Sequence, residues 1–338
     1  MANTIQELAT GDTKSDTTAI AALATEQWKL SVIQYSQVLK KFDQCVMVDQ
    51  SLVRSNDKTL HLPMSSANLT VVSTFTEGSD RNFTVLAGLD TVDVTFVASD
   101  FKLGGIAITK MAVQLTAVDV IKQSRYYLAQ AMALEVDSAI RDMLETDSTG
   151  STSSSGTTNV VYGGDATAVE EVAPGDVITV DLVADAMAKL EANNWVAKWL
   201  YLHPKMIQAF RKSSQFVNAA EYGSDQVIQR GEIGNYLGVA IIVTSNISSY
   251  ADDATDKNEG DAGWDALTSA ATGYACPMVG VNGTTGEKVA GVLAWKEMPH
   301  LDYEYYKPAA EHRLYYDQAF KVVIVQKEAI CLIKVSDK

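Results

Sequence analysis

The sequence predicts an α+β protein of mixed topology, and three observations lead to this prediction. Segments with strand-like alternation precede a long amphipathic helix candidate, which runs from Thr116 to Glu145. Further apolar strands follow this helix, and short helices separate several of them. Strands on both sides of a long helix, with helices between the later strands, are typical of sheets packed against helices.

Length and composition indicate a folded, acidic protein. The chain has 338 residues, enough for two domains or one elaborated domain, and its 47% hydrophobic and 20% charged residues exclude general disorder. The net charge of −15 argues against a protein that grips nucleic acid, because neutralising phosphates requires clustered Lys and Arg. Acidity suits a container that DNA must enter and leave, and it equally suits a soluble protein that must stay dispersed.

The cysteines and the N-terminus bear on the compartment. Cys45, Cys276 and Cys331 lie far apart and form no CxxC pair, so we expect buried, reduced thiols rather than disulfides or a zinc site. The first residues lack the basic and apolar regions of a signal peptide. No apolar run reaches the length of a membrane span, so we expect no membrane association.

The N-terminal region predicts a polar arm followed by an amphipathic helix. Apolar residues recur there at helical spacing: Leu23, Trp28, Val32, Tyr35, Leu39 and Phe42. The helix packs either on its own domain or on a neighbouring subunit, and the sequence leaves both open.

A long β-ribbon is predicted between Lys58 and Thr109. Its strand-like segments are LHLPM, LTVVSTF and TVDVTFV, and in the last of these Val92, Val94 and Phe96 alternate with polar residues. The polar segment TEGSDRN, residues 76–82, forms the predicted tip. Because a two-stranded ribbon is unstable alone in water, this one must lie on the rest of the monomer or on a second copy.

The helix predicted from Thr116 to Glu145 is about 45 Å long and exceeds most globular helices. One side is predicted to carry Val120, Tyr127 and Leu134, an offset row of Ser124, Ala131 and Ser138, and Ile121, Leu128, Ile140 and Leu144. Charged residues exclude a membrane span: Asp119, Lys122, Arg125, Glu135, Asp137, Arg141 and Asp142. The Ala and Ser content favours close packing, as in the spine of a flat or elongated domain.

The second half of the chain predicts shorter elements. A polar surface loop spans Thr146–Thr158, and an acidic loop that looks like an insertion spans residues 251–263. The predicted helices are Leu182–Ala192 and one that begins at Pro204. The predicted strands are Trp199–Leu202, Val239–Thr244, Val289–Trp295, and the KVVIVQ and ICLIKV segments within Leu314–Val335.

No motif with catalytic or cofactor-binding spacing is found. The segment Gly280–Lys288 lacks the phosphate-loop spacing and is interpreted as a hairpin turn, and GEIGNYLG lacks the spacing of a dinucleotide fingerprint. The four histidines, His61, His203, His300 and His312, have no metal-binding spacing, so we expect structural or surface roles for them. We therefore expect no catalytic residue and no cofactor.

The acidic loop is the one candidate for ion binding. Its oxygen-bearing residues are Asp252, Asp253, Asp256, Asn258, Glu259 and Asp261. Hard cations need several oxygen ligands close together, but Gly260 falls at a ligand position of the twelve-residue calcium loop. A solvated acidic loop is the favoured interpretation, and we expect no metal site.

Two segments carry a resemblance to a known family. WLYLHPKMIQAF, from Trp199, combines a strand with a Pro-initiated helix, and GEIGNYLGVAIIVTSN, ending at Asn246, combines a Gly-punctuated turn with a buried strand. Together with the order of arm, ribbon, long helix, compact region and closing strands, they resemble the major capsid proteins of tailed bacteriophages with the Hong Kong 97-type fold.

The resemblance implies a division of the chain and a structural role. It implies an N-terminal arm and helix (1–50), an extended β-ribbon loop (51–100), a peripheral domain with spine helix 116–145 (101–175), an axial domain (176–300) and return strands (301–338). Copies would assemble as hexamers and pentamers into an icosahedral shell in the virion, built in the host cytoplasm, that encloses double-stranded DNA without binding it specifically. Decoration, scaffolding and portal proteins are the further partners implied.

Candidate inter-subunit contacts follow from the same resemblance. They are Glu77, Asp80 and Arg81 at the ribbon tip, and Trp28 and Tyr35 on the N-terminal helix. Charged contacts of this kind set register more than affinity. Three alternatives stay open: an encapsulin-like nanocompartment shell with protein cargo, an acidic metal-dependent enzyme, and a phage tail component.

Overall fold

The computed structural model describes residues 41–64, 90–115, 119–146, 157, 159–212, 235–250 and 271–337. These residues fall into two compact units. The smaller unit contains Gly105–Tyr127 and Tyr303–Leu314, and the larger contains Val38–Gly104, Leu128–Asp302 and Tyr315–Lys338. The predicted N-terminal helix, the ribbon tip, most of the Ser/Thr-rich loop and the acidic loop lie outside the described residues.

Four α-helices are described, and two of them match their predictions closely. They are α1 (Lys110–Leu115), α2 (Val120–Glu145), α3 (Val180–Ala192) and α4 (Pro204–Lys212). Thr179 caps α3 by accepting a hydrogen bond from the N–H of Leu182 at 3.2 Å, so α3 begins two residues before its predicted start. The predicted helix start at Pro204 is confirmed, because its fixed φ and missing N–H suit the first helical turn.

The long helix ends at Glu145 as predicted, but its predicted start at Thr116 is wrong. Asp119 lies outside the helix and caps it, with its carboxylate accepting a hydrogen bond from the N–H of Lys122 at 3.0 Å. A chain that is capped at Asp119 begins a new helix there, and a six-residue helix, α1, precedes it. The spine is therefore 26 residues long, or about 39 Å.

The buried face of α2 differs from the predicted stripe. The side chains of Leu128, Met132, Val136, Ile140 and Leu144 follow each other at four-residue intervals and are buried, whereas Leu134 is only half-buried. The predicted stripe used a seven-residue period, and a straight helix drifts by about 20° per heptad away from that period. Three of the residues predicted to widen the stripe, Leu128, Ile140 and Leu144, are buried as expected.

Thirteen strands form three sheets in the described residues. A seven-stranded sheet has the order β5-β13-β10-β6-β8-β7, with β9 pairing to β10. Its members are β5 (Val160–Tyr162), β6 (Trp195–Leu202), β7 (Asn235–Tyr236), β8 (Val239–Val243), β9 (Ser249–Tyr250), β10 (Gly273–Asn282) and β13 (Ile330–Ser336). β6 pairs with β8 and β13 with β5 in parallel, whereas β10 is antiparallel to both β6 and β13. The mixed topology is confirmed.

The main core surrounds this sheet. β13 is buried along its whole length, and β10 is buried up to its last residue, so both faces of the central strands are covered. The core joins the sheet to α3 through Val183, Ala186 and Leu190 and to the C-terminal half of α2 through Ile140 and Leu144. The near-continuous apolar run that predicted β13 reflects burial on both faces, whereas β8 is fully buried only at alternate residues, Val239 and Ile241.

The second sheet contains four strands in the order β1-β11-β12-β4. They are β1 (Met47–Asp49), β4 (Phe101–Thr109), β11 (Gly291–Tyr306) and β12 (Glu311–Ile324). β11 is much longer than the predicted strand Val289–Trp295. β1 pairs with β11 in parallel, from Met47 opposite Val292 to Asp49 opposite Ala294.

The segment Gly280–Lys288 is a turn, but its interpretation as a hairpin turn is wrong. The N–H of Asn282 bonds to the carbonyl of Glu287 at 3.1 Å, and the N–H of Gly286 bonds back to Asn282 at 2.8 Å. The strands on either side, β10 and β11, belong to different sheets. β10 pairs with β6 and β13, whereas β11 pairs with β1 and β12.

The third sheet is the antiparallel ribbon of β2 (Thr59–Met64) and β3 (Asp90–Thr95), which confirms the ribbon for the LHLPM and TVDVTFV segments. Its register pairs Thr59 with Thr95 and Met64 with Asp90. The LTVVSTF segment lies outside the described residues, and the predicted extension to Thr109 is wrong because Phe101–Thr109 forms β4 of the second sheet.

The smaller unit has its own local contacts: the N–H of Lys110 bonds to the carbonyl of Ala310 at 2.8 Å, and the Arg125 guanidinium lies over the Tyr303 ring.

Candidate functional site

The ribbon is fixed at its base by apolar packing. Val94 and Phe96 are buried with Leu52, Val292 and Ala294, which confirms the predicted alternation along β3. The opposite face carries exposed polar pairs, among them His61 Nδ1 with Asp93 Oδ1 at 2.6 Å. The ribbon therefore has an anchored base, while its predicted tip residues Glu77, Asp80 and Arg81 lie outside the described residues.

A second anchor holds the chain at the point where the predicted N-terminal arm and helix end. Asp137 of α2 is fully buried, and its Oδ1 accepts hydrogen bonds from the backbone N–H groups of Lys41 and Phe42, each at 2.7 Å. Phe42 stacks on Tyr201 of β6 with ring centroids 4.4 Å apart. Phe42 begins a short 3₁₀ turn, Phe42–Gln44, so its prediction as a residue of the amphipathic helix is wrong.

Asn246 and Arg141 complete this anchor. The side-chain amide of Asn246 donates to Asp137 Oδ2 at 2.9 Å, and its oxygen accepts from Arg141 Nη1 at 2.8 Å. The cluster thus joins α2, the segment around Lys41 and the segment that follows β8. We call Asp137, Asn246 and Arg141 with the backbone of Lys41 and Phe42 the root cluster.

Sequence reasoning missed the root cluster. Asp137 was counted only among the charges that exclude a membrane, and Trp28 and Tyr35, the residues chosen from this region, lie outside the described residues. The available signal was local: Asp137 lies beside Val136 and Ile140, in the apolar half of the helix. A charge inside an apolar stripe indicates a buried carboxylate that requires hydrogen-bond donors.

Glu145, the last residue of α2, is a second buried carboxylate near this cluster. Its side chain is only 4% exposed, and its Oε1 accepts a hydrogen bond from the N–H of Ser248 at 3.1 Å. Burial raises the pKa of Glu145 to about 7, although the Ser248 hydrogen bonds and the charge of Arg141 act in the opposite direction. Glu145 therefore changes charge near neutral pH.

An exposed apolar surface lies on β4. Phe101 and Leu103 point to the same side of the strand and are 40% and 67% exposed. β4 is the last strand of its sheet, so one of its edges carries no partner strand among the described residues. An exposed edge strand with large apolar side chains is a surface that a second chain can cover.

The cysteines confirm the prediction of buried thiols. Cys45, Cys276 and Cys331 are buried and unpaired, and burial raises the pKa of each thiol to about 12. Thiols held protonated in this way do not act as nucleophiles or ready metal ligands. In the described part of the chain, no helix combines the length and apolarity that crossing a membrane requires.

The histidines occupy surface or partly buried positions, as expected. His61 pairs with Asp93, His203 stacks on Tyr274 and His312 contacts Tyr303. His300 differs, because β11 and β12 bring it together with Asp302 and Asp317. The spacing rules applied to the sequence cover helices and loops, and they do not detect ligands contributed by neighbouring strands.

Comparison with known proteins gives matches at the level of structure alone. No family model and no curated protein matches the chain. The fold is similar to that in "Capsid structure of the Cyanophage P-SCSP1u" (TM-score 0.68, 12% identity, 94% of each chain covered). It is also similar to "Cyanophage Pam1 capsid asymmetric unit" (0.65, 14%, 92% of this chain and 96% of that chain) and "Capsid of Ralstonia phage GP4" (0.64, 14%, 93% and 96%). The predicted capsid-type α+β fold is confirmed.

Exchanging the side chains of Asp137 and Asn246 tests whether their hydrogen bond stabilises the root cluster. Asp137→Asn is expected to lower the unfolding free energy by about 2 kcal/mol, because the new amide turns its NH₂ toward the NH₂ of Asn246. The double variant Asp137→Asn/Asn246→Asp restores the donor–acceptor match and keeps an acceptor for Arg141. Denaturant unfolding of the double variant is expected to show recovery of most of the loss.

The single variant Asn246→Asp is the matched control, since it places two carboxylates side by side and is expected to be destabilising. If the destabilisations of the two single variants simply add in the double variant, the pairing between these residues does not fix the root.

Glu145 generates a pH dependence with a defined sign. Its pKa is raised in the folded state, so the folded protein holds the proton more tightly than the unfolded chain does. The stability it contributes is therefore full below the ordinary pKa of about 4.3 and is lost as pH rises toward the folded value. The loss amounts to about 3 kcal/mol, because each pKa unit corresponds to about 1.4 kcal/mol.

Glu145→Gln removes this titration. The stability of the variant relative to wild type is expected to increase as pH rises from about 4.5 to 7 and then to level off, as measured by urea unfolding across that range. Glu191→Gln, which removes an exposed carboxylate on α3, is expected to keep the wild-type slope. Parallel stability curves for wild type and Glu145→Gln would contradict the assignment.

Proposed function

We propose that this chain is the major capsid protein of a tailed bacteriophage and that copies of it assemble into an icosahedral shell around double-stranded DNA. The observation that carries the proposal is the extent of the shared fold. More than nine-tenths of this chain aligns with more than nine-tenths of several chains from phage capsids. A match that leaves so little of either chain unaccounted for favours the same structural role over an unrelated one on a borrowed domain.

The elements of the fold suit the parts that a shell subunit needs. We assign β2 and β3 to the base of an extended loop and α2 to the spine of a peripheral domain. The seven-stranded sheet with α3 and α4 corresponds to an axial domain, around which hexamers and pentamers form. Residues 1–40 and 65–89 are the segments expected to reach neighbours; the first is followed by the root cluster, and the second joins the two strands of a ribbon whose opposite end is fixed by apolar packing.

The acidic composition supports enclosure of DNA without specific binding. A net charge of −15 gives the shell subunit no electrostatic basis for gripping phosphates. Glu77, Asp80 and Arg81 at the ribbon tip, with Trp28 and Tyr35, stay predicted contacts between copies. Decoration, scaffolding and portal proteins are proposed partners, and the virion is the proposed location, with assembly in the host cytoplasm. The proposed role is structural rather than enzymatic.

Negative-stain microscopy of the purified chain tests the proposal. Closed polyhedral particles of uniform size are expected. A small monodisperse species across a range of salt concentrations would contradict a shell, and open rings or rods would indicate a tail component instead. Nuclease-resistant nucleic acid inside particles from infected or lysogenic cells separates a viral shell from a nanocompartment, which would contain protein cargo.

The apolar surface on β4 generates a prediction about assembly. Leu103→Asp is expected to reduce particle yield at least about tenfold, because a charge on a surface that a neighbouring copy covers must be desolvated without a partner. Leu103→Met keeps the apolar surface and is expected to assemble as wild type does. Particle yield is measured by sedimentation and microscopy.

Subunit stability separates this effect from misfolding. Leu103 is largely exposed, so Leu103→Asp is expected to leave the unfolding free energy of the free subunit within about 0.5 kcal/mol of wild type. Wild-type particle yield from Leu103→Asp would place this part of β4 outside any subunit contact.

A further inference from the structure

A cluster of side chains of metal-ligating types lies on the β11–β12 pair and shares no residue with the root cluster or with the exposed apolar surface of β4. His300 and Asp302 are two residues apart on β11 and therefore point to the same face, and Asp317 lies on the neighbouring strand β12. His300 Nε2 lies 3.6 Å from Asp302 Oδ2 and 3.5 Å from Asp317 Oδ2. One potential donor atom from each residue lies within 4.8 Å of the other two.

The carboxylates around His300 favour a bound cation. Asp302 and Asp317 face one nitrogen of the His300 ring, and Glu297 faces the other, with Nδ1 and Oε1 3.7 Å apart. None of these distances is a hydrogen bond. Among the described residues, no Lys or Arg forms an ion pair with any of the three carboxylates. Two carboxylate oxygens that lie within 4.8 Å of each other beside one imidazole nitrogen favour a cation between them.

We propose that His300, Asp302 and Asp317 bind a divalent cation of the zinc class. Bonds of about 2.0–2.1 Å to nitrogen and oxygen in tetrahedral geometry place neighbouring ligand atoms about 3.3–3.4 Å apart. The separations of 3.5 and 3.6 Å from His300 Nε2 require only a small contraction, and the two carboxylate oxygens, which lie within 4.8 Å of each other, must approach to about the same distance. The imidazole ligand disfavours calcium and magnesium, which prefer oxygen. Solvent occupies the fourth position, because His300 and Asp302 are exposed.

Glu297 acts as a positioning residue for this ion. With Nδ1 of His300 carrying the proton and directed at Glu297, the Nε2 lone pair is left for the metal. Such a carboxylate partner fixes the ring orientation and raises the basicity of the imidazole. The bound ion would tie β11 to β12 across the hairpin, so loading would stabilise the folded chain by mass action. The proposal does not depend on shell assembly.

His61 provides a matched control within the same chain. It is an exposed histidine on a strand and faces one carboxylate, Asp93, on the paired strand. His61 Nδ1 and Asp93 Oδ1 are 2.6 Å apart, so they form a direct hydrogen bond with no space for an ion between them. An exposed histidine that binds zinc without a built site would behave like His61.

Isothermal titration of the chelator-treated full chain with zinc chloride tests the proposal. One saturable equivalent per chain is expected, with a rise in the thermal unfolding midpoint on loading. His300→Ala is expected to abolish the saturable phase, and Asp302→Asn and Asp317→Asn each to weaken it at least about tenfold. Glu297→Gln is expected to weaken binding about tenfold with the stoichiometry unchanged. His61→Ala is expected to bind as wild type does. Cobalt substitution is expected to give the visible absorption of a tetrahedral site in wild type and not in His300→Ala.

The choice of variants separates loss of metal binding from misfolding. All of them alter exposed or half-buried side chains, and their unfolding midpoints without metal are expected to match wild type. Absence of a saturable phase in wild type would overturn the proposal. Equal losses in His61→Ala and His300→Ala would also overturn it, because binding would then be adventitious.

Discussion

The buried carboxylate of Asp137 is the interaction on which the arrangement of the larger unit depends most. It accepts hydrogen bonds from two backbone N–H groups at residues 41 and 42 and from the side chain of Asn246. Three segments that are about a hundred residues apart in sequence meet at this single group. Each donor left unsatisfied in a buried site costs about 1–3 kcal/mol, so apolar packing alone cannot replace the carboxylate at this position.

Two anchors fix the described chain next to the segments for which contacts between copies are proposed. The root cluster holds the backbone at Lys41 and Phe42, and the packing of Val94 and Phe96 fixes the ribbon at its base. One anchor is polar and the other apolar. The polar anchor requires specific donor geometry, which defines direction, whereas the apolar anchor defines mainly contact area. In the proposed shell, a fixed backbone at Lys41 and Phe42 limits which neighbouring copy the N-terminal arm can reach.

The spacing of apolar and polar residues predicted those elements whose burial follows from their own sequence. The alternation at Val92, Val94 and Phe96, the apolar run of β13 and Pro204 are of this kind. The central strand β10 was not predicted, because Gly273, Pro277 and Gly280 are residues that usually interrupt strands. The register shows why Pro277 is tolerated: it pairs with Leu332 of β13, and pairing with β6 begins only at Met278. One of the two ladders is therefore absent where the proline lacks its N–H.

The functional groups were harder to predict than the strands, for the same physical reason. The partners of Asp137 lie 95 to 109 residues away, and those of His300 include a residue on the neighbouring strand, so no local spacing reveals either cluster.

The chain carries 42 acidic and 27 basic residues, so many carboxylates have no Lys or Arg to pair with. Three different solutions are visible. Asp137 takes backbone and amide donors, Glu145 holds a proton to near neutral pH because of its burial, and Asp302 and Asp317 converge on an imidazole where a cation fits. The first solution fixes the chain through hydrogen bonds, the second couples the end of α2 to pH, and the proposed third couples the β11–β12 pair to a divalent metal. The excess of carboxylates is therefore accommodated differently at each of these three places.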